Sequence, residues 1–553
     1  MADTADIDAG PSPDSGRATS RSTAIALIAI GIVFLLQLEL VFNKSINWDE
    51  YFHFSQIHQS LRGEHVPWLQ TPHVWLFGWV PSLSGDPMAH IQLIRLMILP
   101  FELLTALVIF DSTRRIAGRE TGMICVLAYL TGGYIFLHGF ALRADMIATG
   151  LLMAALWIAM WRPVRLLELA AFGLLGGLAF VTTIKAVFYA PVFLGVVILR
   201  RKEFRQFLAA NRLPSMLALA AILLGIAALL ASGGIDDIAA LAASSWQRMF
   251  SAGLFPQANY LLEQFKFAIV LTAMAIAAPF VIFKQDGKRV DRLALTLFLL
   301  PLLTVVFYRN AYPYFFPFIF APAMIAIAAV VKLTLVRFGM VTLVAVLLAN
   351  GVILSFGELR AAKDHQETVQ QGIREIFPDP VHYIDDVAIM SDYPRTVPMF
   401  ASGWALESYR RKGEPLYELA IRRQPTPLLL RQGEALEKLD PEAGDEIALL
   451  PPDVFALADN YLQHWGQVYV AGKRIAAGSG ATEIEILIPG PYTVEGEALE
   501  IEGQIRAPGE VVRLAKGKHA IVAPAQGEAL LRYGNHLPRP SNPWPDGLIF
   551  TYY

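Results

Sequence analysis

The sequence has very little cysteine and little charge. Cys125 is the single cysteine among 553 residues, so an intrachain disulfide is excluded. Charged residues make up only 17% of the chain, whereas 55% is hydrophobic and the mean hydropathy is +0.46. This hydropathy is too high for a soluble enzyme of this length, and the net charge of −3 indicates no nucleic-acid partner.

Long apolar runs are what the sequence has in abundance. Runs of about 18 residues or more recur, which is the length that crosses a hydrocarbon core as a helix. They predict a polytopic α-helical membrane protein whose membrane domain, residues 22–357, follows a disordered cytoplasmic tail at 1–21. About eleven transmembrane helices are predicted, at 22–42, 89–111, 120–138, 143–161, 166–183, 186–199, 214–232, 266–283, 291–307, 312–331 and 335–356.

Arginine and lysine predict the orientation of these spans. The loops after the even-numbered spans carry most of the cations, for example Arg114, Arg115 and Arg119 after the second span. By the positive-inside rule these loops and the N-terminus face the cytoplasm. An odd number of spans then places the chain after residue 357 on the outer face. We therefore expect a multi-pass protein of the bacterial inner membrane with a periplasmic C-terminal region.

The composition changes after residue 357, where charged residues and prolines become frequent. Two short apolar segments, at 387–392 and 427–430, are typical of buried strands between helices, so residues 358–480 are predicted to form an α/β domain. After Gly480 the apolar residues alternate, and Pro-Gly and Lys-Gly turns separate short strands. Residues 481–553 are therefore predicted to form a small β-sandwich-like domain.

Ionisable residues near or within a membrane are costly and are usually functional. Four sets of polar residues are predicted to lie at the outward-facing ends of spans. Acids and cations would thus converge on one side of the bilayer, as a site for an anionic, lipid-linked ligand beside a base. The sets are Asp49, Glu50 and His53; Arg143 and Asp145; Lys185; and Arg309 with Tyr312 and Tyr314.

This layout resembles the GT-C superfamily of integral-membrane glycosyltransferases, which includes the protein O-mannosyltransferase and lipid A aminoarabinose transferase families. The matching features are the acidic pair Asp49-Glu50 after the first span, Asp145 after the third span, and the basic, aromatic segment 309–314. The resemblance covers roughly residues 22–357. No defined activity matches the β-rich end.

The resemblance implies a donor made of a sugar on polyprenyl phosphate and an acceptor that is a lipid, a glycan or a protein. Asp49 or Glu50 would deprotonate the acceptor hydroxyl. Lys185 and Arg309 would hold the phosphate, and Arg143 would assist them or pair with Asp145. The implied activity is therefore a lipid-phosphate-dependent hexosyl or pentosyl transfer, with His53, Tyr312 and Tyr314 in the substrate site.

Several alternatives stay open at this point. Charge and position suit Asp49 and Glu50 equally, and only the resemblance favours Asp49 as the base. His53 lies four residues after Asp49, a spacing that permits a divalent cation held by Asp49, Glu50 and His53, with Asp145 as a further ligand. Lys185 could instead extend to the membrane interface. The alternative functions are a transporter or flippase of lipid-linked precursors, and a non-catalytic factor in envelope polysaccharide assembly.

Overall fold

The computed structural model describes residues 13–67, 70–211, 253–358, 360–397, 403–437, 439, 448–478 and 480–550. Helices dominate up to residue 376, and the strands follow from residue 383. The predicted span 214–232 lies outside the described residues. The α-helices are α1 (Pro13–Asn43), α2 (Trp48–Leu61), α3 (Pro72–Phe77), α4 (Pro87–Ala117), α5 (Arg119–Leu130), α6 (Tyr134–His138), α7 (Ala144–Trp161), α8 (Leu166–Thr182), α9 (Ala190–Leu199), α10 (Arg201–Ala210), α11 (Ala258–Phe267), α12 (Ile269–Lys284), α13 (Arg289–Thr296), α14 (Phe316–Phe338), α15 (Met340–Gly357), α16 (Ala361–Ile376), α17 (Gly403–Lys412), α18 (Leu416–Arg423), α19 (Glu434–Glu437) and α20 (Pro451–Asn460).

Five helices of the described part are long and apolar enough to cross a membrane. A sixth candidate is the pair α11 and α12, which is bent by 104° between its two helices, and two shorter apolar helices cover 166–182 and 184–199. The structure therefore confirms several apolar helices, while the count of eleven stays a prediction. The five are Ser22–Asn43, Pro87–Ala117, Ala144–Trp161, Pro313–Phe338 and Met340–Ile376.

Glycine and proline explain where the helices differ from the predicted spans. The span 120–138 is interrupted after Leu130, because Gly133 has a φ of 66° that a helix does not allow. The span 291–307 becomes α13 followed by a 3-10 helix, Leu297–Val306, which contains Pro301. At the other end of the chain, α1 begins at Pro13, within the segment predicted as a tail.

The described strands form two sheets. Their order in the seven-stranded sheet is β1-β2-β4-β11-β6-β9, with β3 against β4, and the four-stranded sheet has the order β5-β10-β7-β8. Strands β1 and β2 are parallel. The strands are β1 (Tyr383–Ile384), β2 (Leu428–Leu430), β3 (Tyr461–Trp465), β4 (Val468–Ala476), β5 (Ala481–Ile486), β6 (Gly490–Gly496), β7 (Leu499–Ile501), β8 (Gln504–Arg506), β9 (Val511–Leu514), β10 (Gly517–Val522) and β11 (Glu528–Tyr533).

One sheet extends across the predicted domain boundary at residue 480. Strand β4 precedes the boundary and pairs with β11, which follows it. The same C-terminal region packs against α2, since Tyr51 and Phe54 share a buried cluster with Val369 of α16 and with Leu428 and Val468 of the sheet. The helix that carries the acidic pair is therefore held between α4 and the C-terminal sheet.

Candidate functional site

Helix α2 begins with a capping box that fixes the acidic pair. The side chain of Asn47 accepts a hydrogen bond from the Asp49 backbone N–H at 3.1 Å, and the Glu50 carboxylate accepts one from the Asn47 backbone N–H at 3.1 Å. Consecutive residues on a helix point in directions about 100° apart. The two carboxylates therefore enter different surroundings.

Glu50 forms a buried ion pair with Arg95 of α4, whose Nε donates to Oε1 at 2.8 Å. The backbone N–H of Leu142 donates to the same oxygen at 2.8 Å. Burial by itself would raise the pKa of Glu50, but the Arg95 charge and these hydrogen bonds bring that pKa below its ordinary value. Both side chains are about 1% exposed, so Glu50 ties α2 to α4 and is shielded from solvent.

Asp49 instead pairs with Arg143, the residue that precedes α7. The same guanidinium donates from Nη2 to the Asn47 side-chain oxygen at 2.9 Å. Asn47 therefore has two roles, since it caps α2 and also receives Arg143. This arrangement brings the start of α2 to the start of α7.

A second ion pair joins Asp145 and Lys185. Asp145 lies in the first turn of α7, and the Lys185 ammonium is 2.6 Å from its Oδ1. Lys185 belongs to a 3-10 helix, Ile184–Tyr189, that interrupts the apolar run between α8 and α9. Both side chains are largely buried, which agrees with a paired charge and not with a lysine that extends into solvent.

The ring of Tyr314 lies against both cations. Its centroid is 3.6 Å from the Arg143 guanidinium carbon and 4.8 Å from the Lys185 ammonium. Such contacts are attractive because the ring face is negative. The structure therefore brings Asp49, Arg143, Asp145, Lys185 and Tyr314 together, and we call these five residues the paired-charge cluster.

Arg309 and Tyr312 lie beside this cluster. Arg309 is 3.1 Å from the Glu407 carboxylate of α17, and its backbone oxygen accepts a hydrogen bond from Gln257. The ring of Tyr312 stacks near Tyr314, with centroids 5.9 Å apart. The ion pair seen at Arg309 is therefore with the C-terminal region and not with the acids of the cluster.

His53 contacts another histidine. Its ring centroid is 4.7 Å from that of His73, and its Nδ1 is 3.4 Å from the Gln56 side-chain oxygen. Burial lowers the pKa of both histidines, which favours their neutral forms. Among the residues that the structure describes, no group of three His, Cys, Asp or Glu side chains could hold a metal ion. Asp49, Glu50 and His53 therefore do not form such a group.

Sequence reasoning missed two residues of this region. Arg95 is one of three charged residues inside the predicted span 89–111, with Glu102 and Asp111, and the cost of a charge in a membrane is the signal that could have found it. Asn47 begins an Asn-x-x-Glu pattern, which is typical of a capped helix start. Spacing could not reveal their partners. Arg95 and its partner Glu50 are 45 residues apart along the chain, and Asn47 and its partner Arg143 are 96 residues apart.

No protein-family model matches the chain, and no curated protein matches it at a significant level. Solved structures do resemble it. One is ArnT from Cupriavidus metallidurans bound to undecaprenyl phosphate, with 14% identity, a TM-score of 0.47, and coverage of 68% of this chain and 85% of that chain. Another is the archaeal oligosaccharyltransferase AglB from Archaeoglobus fulgidus in complex with an inhibitory peptide and a dolichol-phosphate. It has 11% identity and a TM-score of 0.43, and the match covers 73% of this chain and 69% of that chain.

ArnT and AglB are GT-C superfamily glycosyltransferases, the superfamily that the sequence layout resembles. Similarity at this level transfers neither a substrate nor a catalytic residue. A reaction for this protein therefore has to be inferred from the arrangement of its own side chains.

Proposed function

We propose that this protein is a glycosyltransferase that moves a sugar from a polyprenyl-phosphate donor to an acceptor hydroxyl at the periplasmic face of the inner membrane. The paired-charge cluster carries the proposal. It combines two carboxylates and two cations around the start of the apolar helix α7, where a lipid-linked phosphate and a polar acceptor can meet.

Arg143 and Lys185 are the phosphate-binding residues of this proposal. A guanidinium offers two parallel N–H donors to phosphate oxygens, and an ammonium adds a compact charge. Tyr314 lies against both cations and holds them near one point. Arg309, which the sequence predicts as a phosphate ligand, pairs with the exposed Glu407 of α17 and not with a carboxylate of the cluster, so Arg143 takes its place here.

Asp49 is the proposed base. It takes the proton of the acceptor hydroxyl while the acceptor oxygen forms a bond to the anomeric carbon of the sugar. The bond between that carbon and the phosphate oxygen breaks, and its electron pair leaves with the phosphate. The leaving polyprenyl phosphate thereby gains one negative charge, which Arg143 and Lys185 stabilise.

Asp145 has a supporting part in this scheme. Its carboxylate holds the Lys185 ammonium at 2.6 Å and thus places that charge beside Tyr314. Asp145 lies in the first turn of α7, and Arg143 directly precedes this helix. The start of α7 therefore positions Arg143 directly and Lys185 through Asp145. We propose that Asp145 orients Lys185 and the acceptor, which is a lipid, a glycan or a protein.

The test is sugar transfer by the purified protein in lipid nanodiscs. A set of labelled polyprenyl-phosphate sugars serves as donors, and envelope fractions from cells that lack the protein serve as acceptors. We expect Asp49→Asn to lower the rate about 10²–10⁴-fold, the usual contribution of a general base. The matched control is Asp111→Asn, a carboxylate in the last two turns of α4 that pairs with Arg114 and Arg115. Equal transfer by wild type and Asp49→Asn would refute the proposal.

A further inference from the structure

Both cations that the proposed function assigns to the phosphate are occupied by carboxylates in this structure. Arg143 pairs with Asp49, and Lys185 pairs with Asp145. The residues of these pairs are mostly buried, with Arg143 only 4% and Asp145 only 5% exposed. A buried charge without a counter-charge is strongly destabilising. The carboxylates therefore neutralise the cations when no phosphate is bound.

A phosphate that binds Arg143 meets N–H donors that already have partners. The guanidinium already contacts the Asp49 carboxylate, the Asn47 side-chain oxygen and the Tyr314 ring. Phosphate and carboxylate are both oxyanions that accept the same guanidinium N–H donors, so they compete for them. Asn47 and Tyr314 carry no charge and do not repel a phosphate, so they can keep the guanidinium in place while its anion changes.

We infer that the donor phosphate displaces Asp49 from Arg143, and that Asp49 becomes available as the base only through this exchange. This inference rests on the proposed function. Before the exchange, the Asp49 carboxylate is engaged by the Arg143 guanidinium, and an acceptor hydroxyl has to compete with that cation for its oxygens. After it, the carboxylate lies beside a bound donor and has lost its counter-charge. The pairing thus suppresses proton abstraction until the sugar is in place.

The first test is the affinity of the protein in nanodiscs for a polyprenyl monophosphate that carries no sugar. We expect Asp49→Asn to bind this lipid about tenfold more tightly than wild type, because the phosphate no longer displaces a carboxylate, and tenfold corresponds to about 1.4 kcal/mol. Asp49→Ser is a second neutral variant and should show the same gain. Asp111→Asn should bind like wild type. Unchanged or weaker binding by both Asp49 variants would overturn the inference.

A double-mutant cycle separates the exchange from a general loss of negative charge. We expect the gain from Asp49→Asn to disappear when Arg143→Gln is present, since Arg143 is the cation that Asp49 gives up in the exchange. A gain of the same size in the Arg143→Gln background would show that Asp49 repels the phosphate without exchanging partners, and the inference would be wrong.

The order of substrate binding supplies a readout that depends on activity. Because Asp49 is released only by the donor, we expect ordered kinetics in which the donor binds before the acceptor. Transfer by wild type with unchanged lipid affinity in the Asp49 variants would refute the exchange and leave the glycosyltransferase proposal standing. A wild type that neither binds polyprenyl phosphate nor transfers sugar would refute both.

Discussion

At the scale of single residues, the neighbouring carboxylates of Asp49 and Glu50 have different partners, and we expect different defects when each is replaced. Glu50→Gln leaves the charge of Arg95 buried without a counter-charge, which costs about 3–5 kcal/mol of unfolding free energy. Asp49→Asn affects transfer and has the smaller effect on stability, because the Asp49 side chain is 12% exposed and the Glu50 side chain only 1%, so water screens the Asp49 pair more. Thermal unfolding of both variants in the same detergent is the measurement. Equal losses of stability would contradict this division.

The pH dependence of stability gives a second prediction for Glu50. Its pKa in the folded protein lies below the ordinary value of 4.5, because Arg95 and hydrogen bonds outweigh the effect of burial. The ion pair therefore contributes its full stability above pH 4.5, and this contribution is lost as the pH falls through the lowered pKa. We expect the difference in melting temperature between wild type and Glu50→Gln to be constant above pH 4.5 and to narrow only below it. A difference that narrows instead toward neutral pH would show that another group is responsible.

The sequence predicted the residue types of this site better than their partners. Asp49, Arg143, Asp145 and Lys185 could be selected because few charges lie at the outward-facing ends of the predicted spans. The choice between Asp49 and Glu50 could not be made, because it depends on which cation each carboxylate meets. That cation lies on another helix in both cases, Arg95 on α4 and Arg143 before α7.

At the scale of elements, α2 depends on its capping residue. Asn47→Ala removes the cap, which costs about 1 kcal/mol of stability, and also removes the contact with Arg143. Asn47→Ser keeps a good capping residue, but its shorter side chain no longer reaches Arg143. We therefore expect Asn47→Ser to unfold near the wild-type temperature yet to bind polyprenyl phosphate less tightly. Asn47→Ala should have both a lower unfolding temperature and a lower affinity for polyprenyl phosphate. Identical binding by wild type and Asn47→Ser would show that Asn47 serves α2 alone.

The helix boundaries show what hydropathy can and cannot predict. Length and apolar content located the candidate spans, because a helix must bury its backbone groups within the membrane. They placed the break between the last two predicted spans at 332–334, whereas α14 continues to Phe338 and ends at Gly339, whose φ is 79°, directly before α15. Nor did they predict the 3-10 helix that carries Lys185, since the flanking run is apolar on both sides.

At the scale of the whole molecule, the C-terminal region contacts the start of α2 directly. The side chain of Gln366 exchanges hydrogen bonds with the backbone of Ile46 and also donates to the Ile549 backbone oxygen. The ring of Phe550 lies 6.1 Å from that of Tyr51. The sequence predicted separate membrane, α/β and β-rich parts, but contacts between residues about 320 positions apart cannot be read from local pattern.

The orientation of the chain in the membrane can be tested by labelling introduced cysteines, because the sequence has a single native cysteine. Cys125 is buried among apolar side chains, so wild type should react poorly with a membrane-impermeant maleimide. Glu414 and Asp286 are both exposed, the first in the C-terminal region and the second in a cation-rich loop before α13. The positive-inside rule places them on opposite faces. We expect intact cells to be labelled for Glu414→Cys and not for Asp286→Cys, with both variants labelled after the inner membrane is permeabilised. The reverse pattern would place the C-terminal region in the cytoplasm and would remove the paired-charge cluster from the periplasmic face.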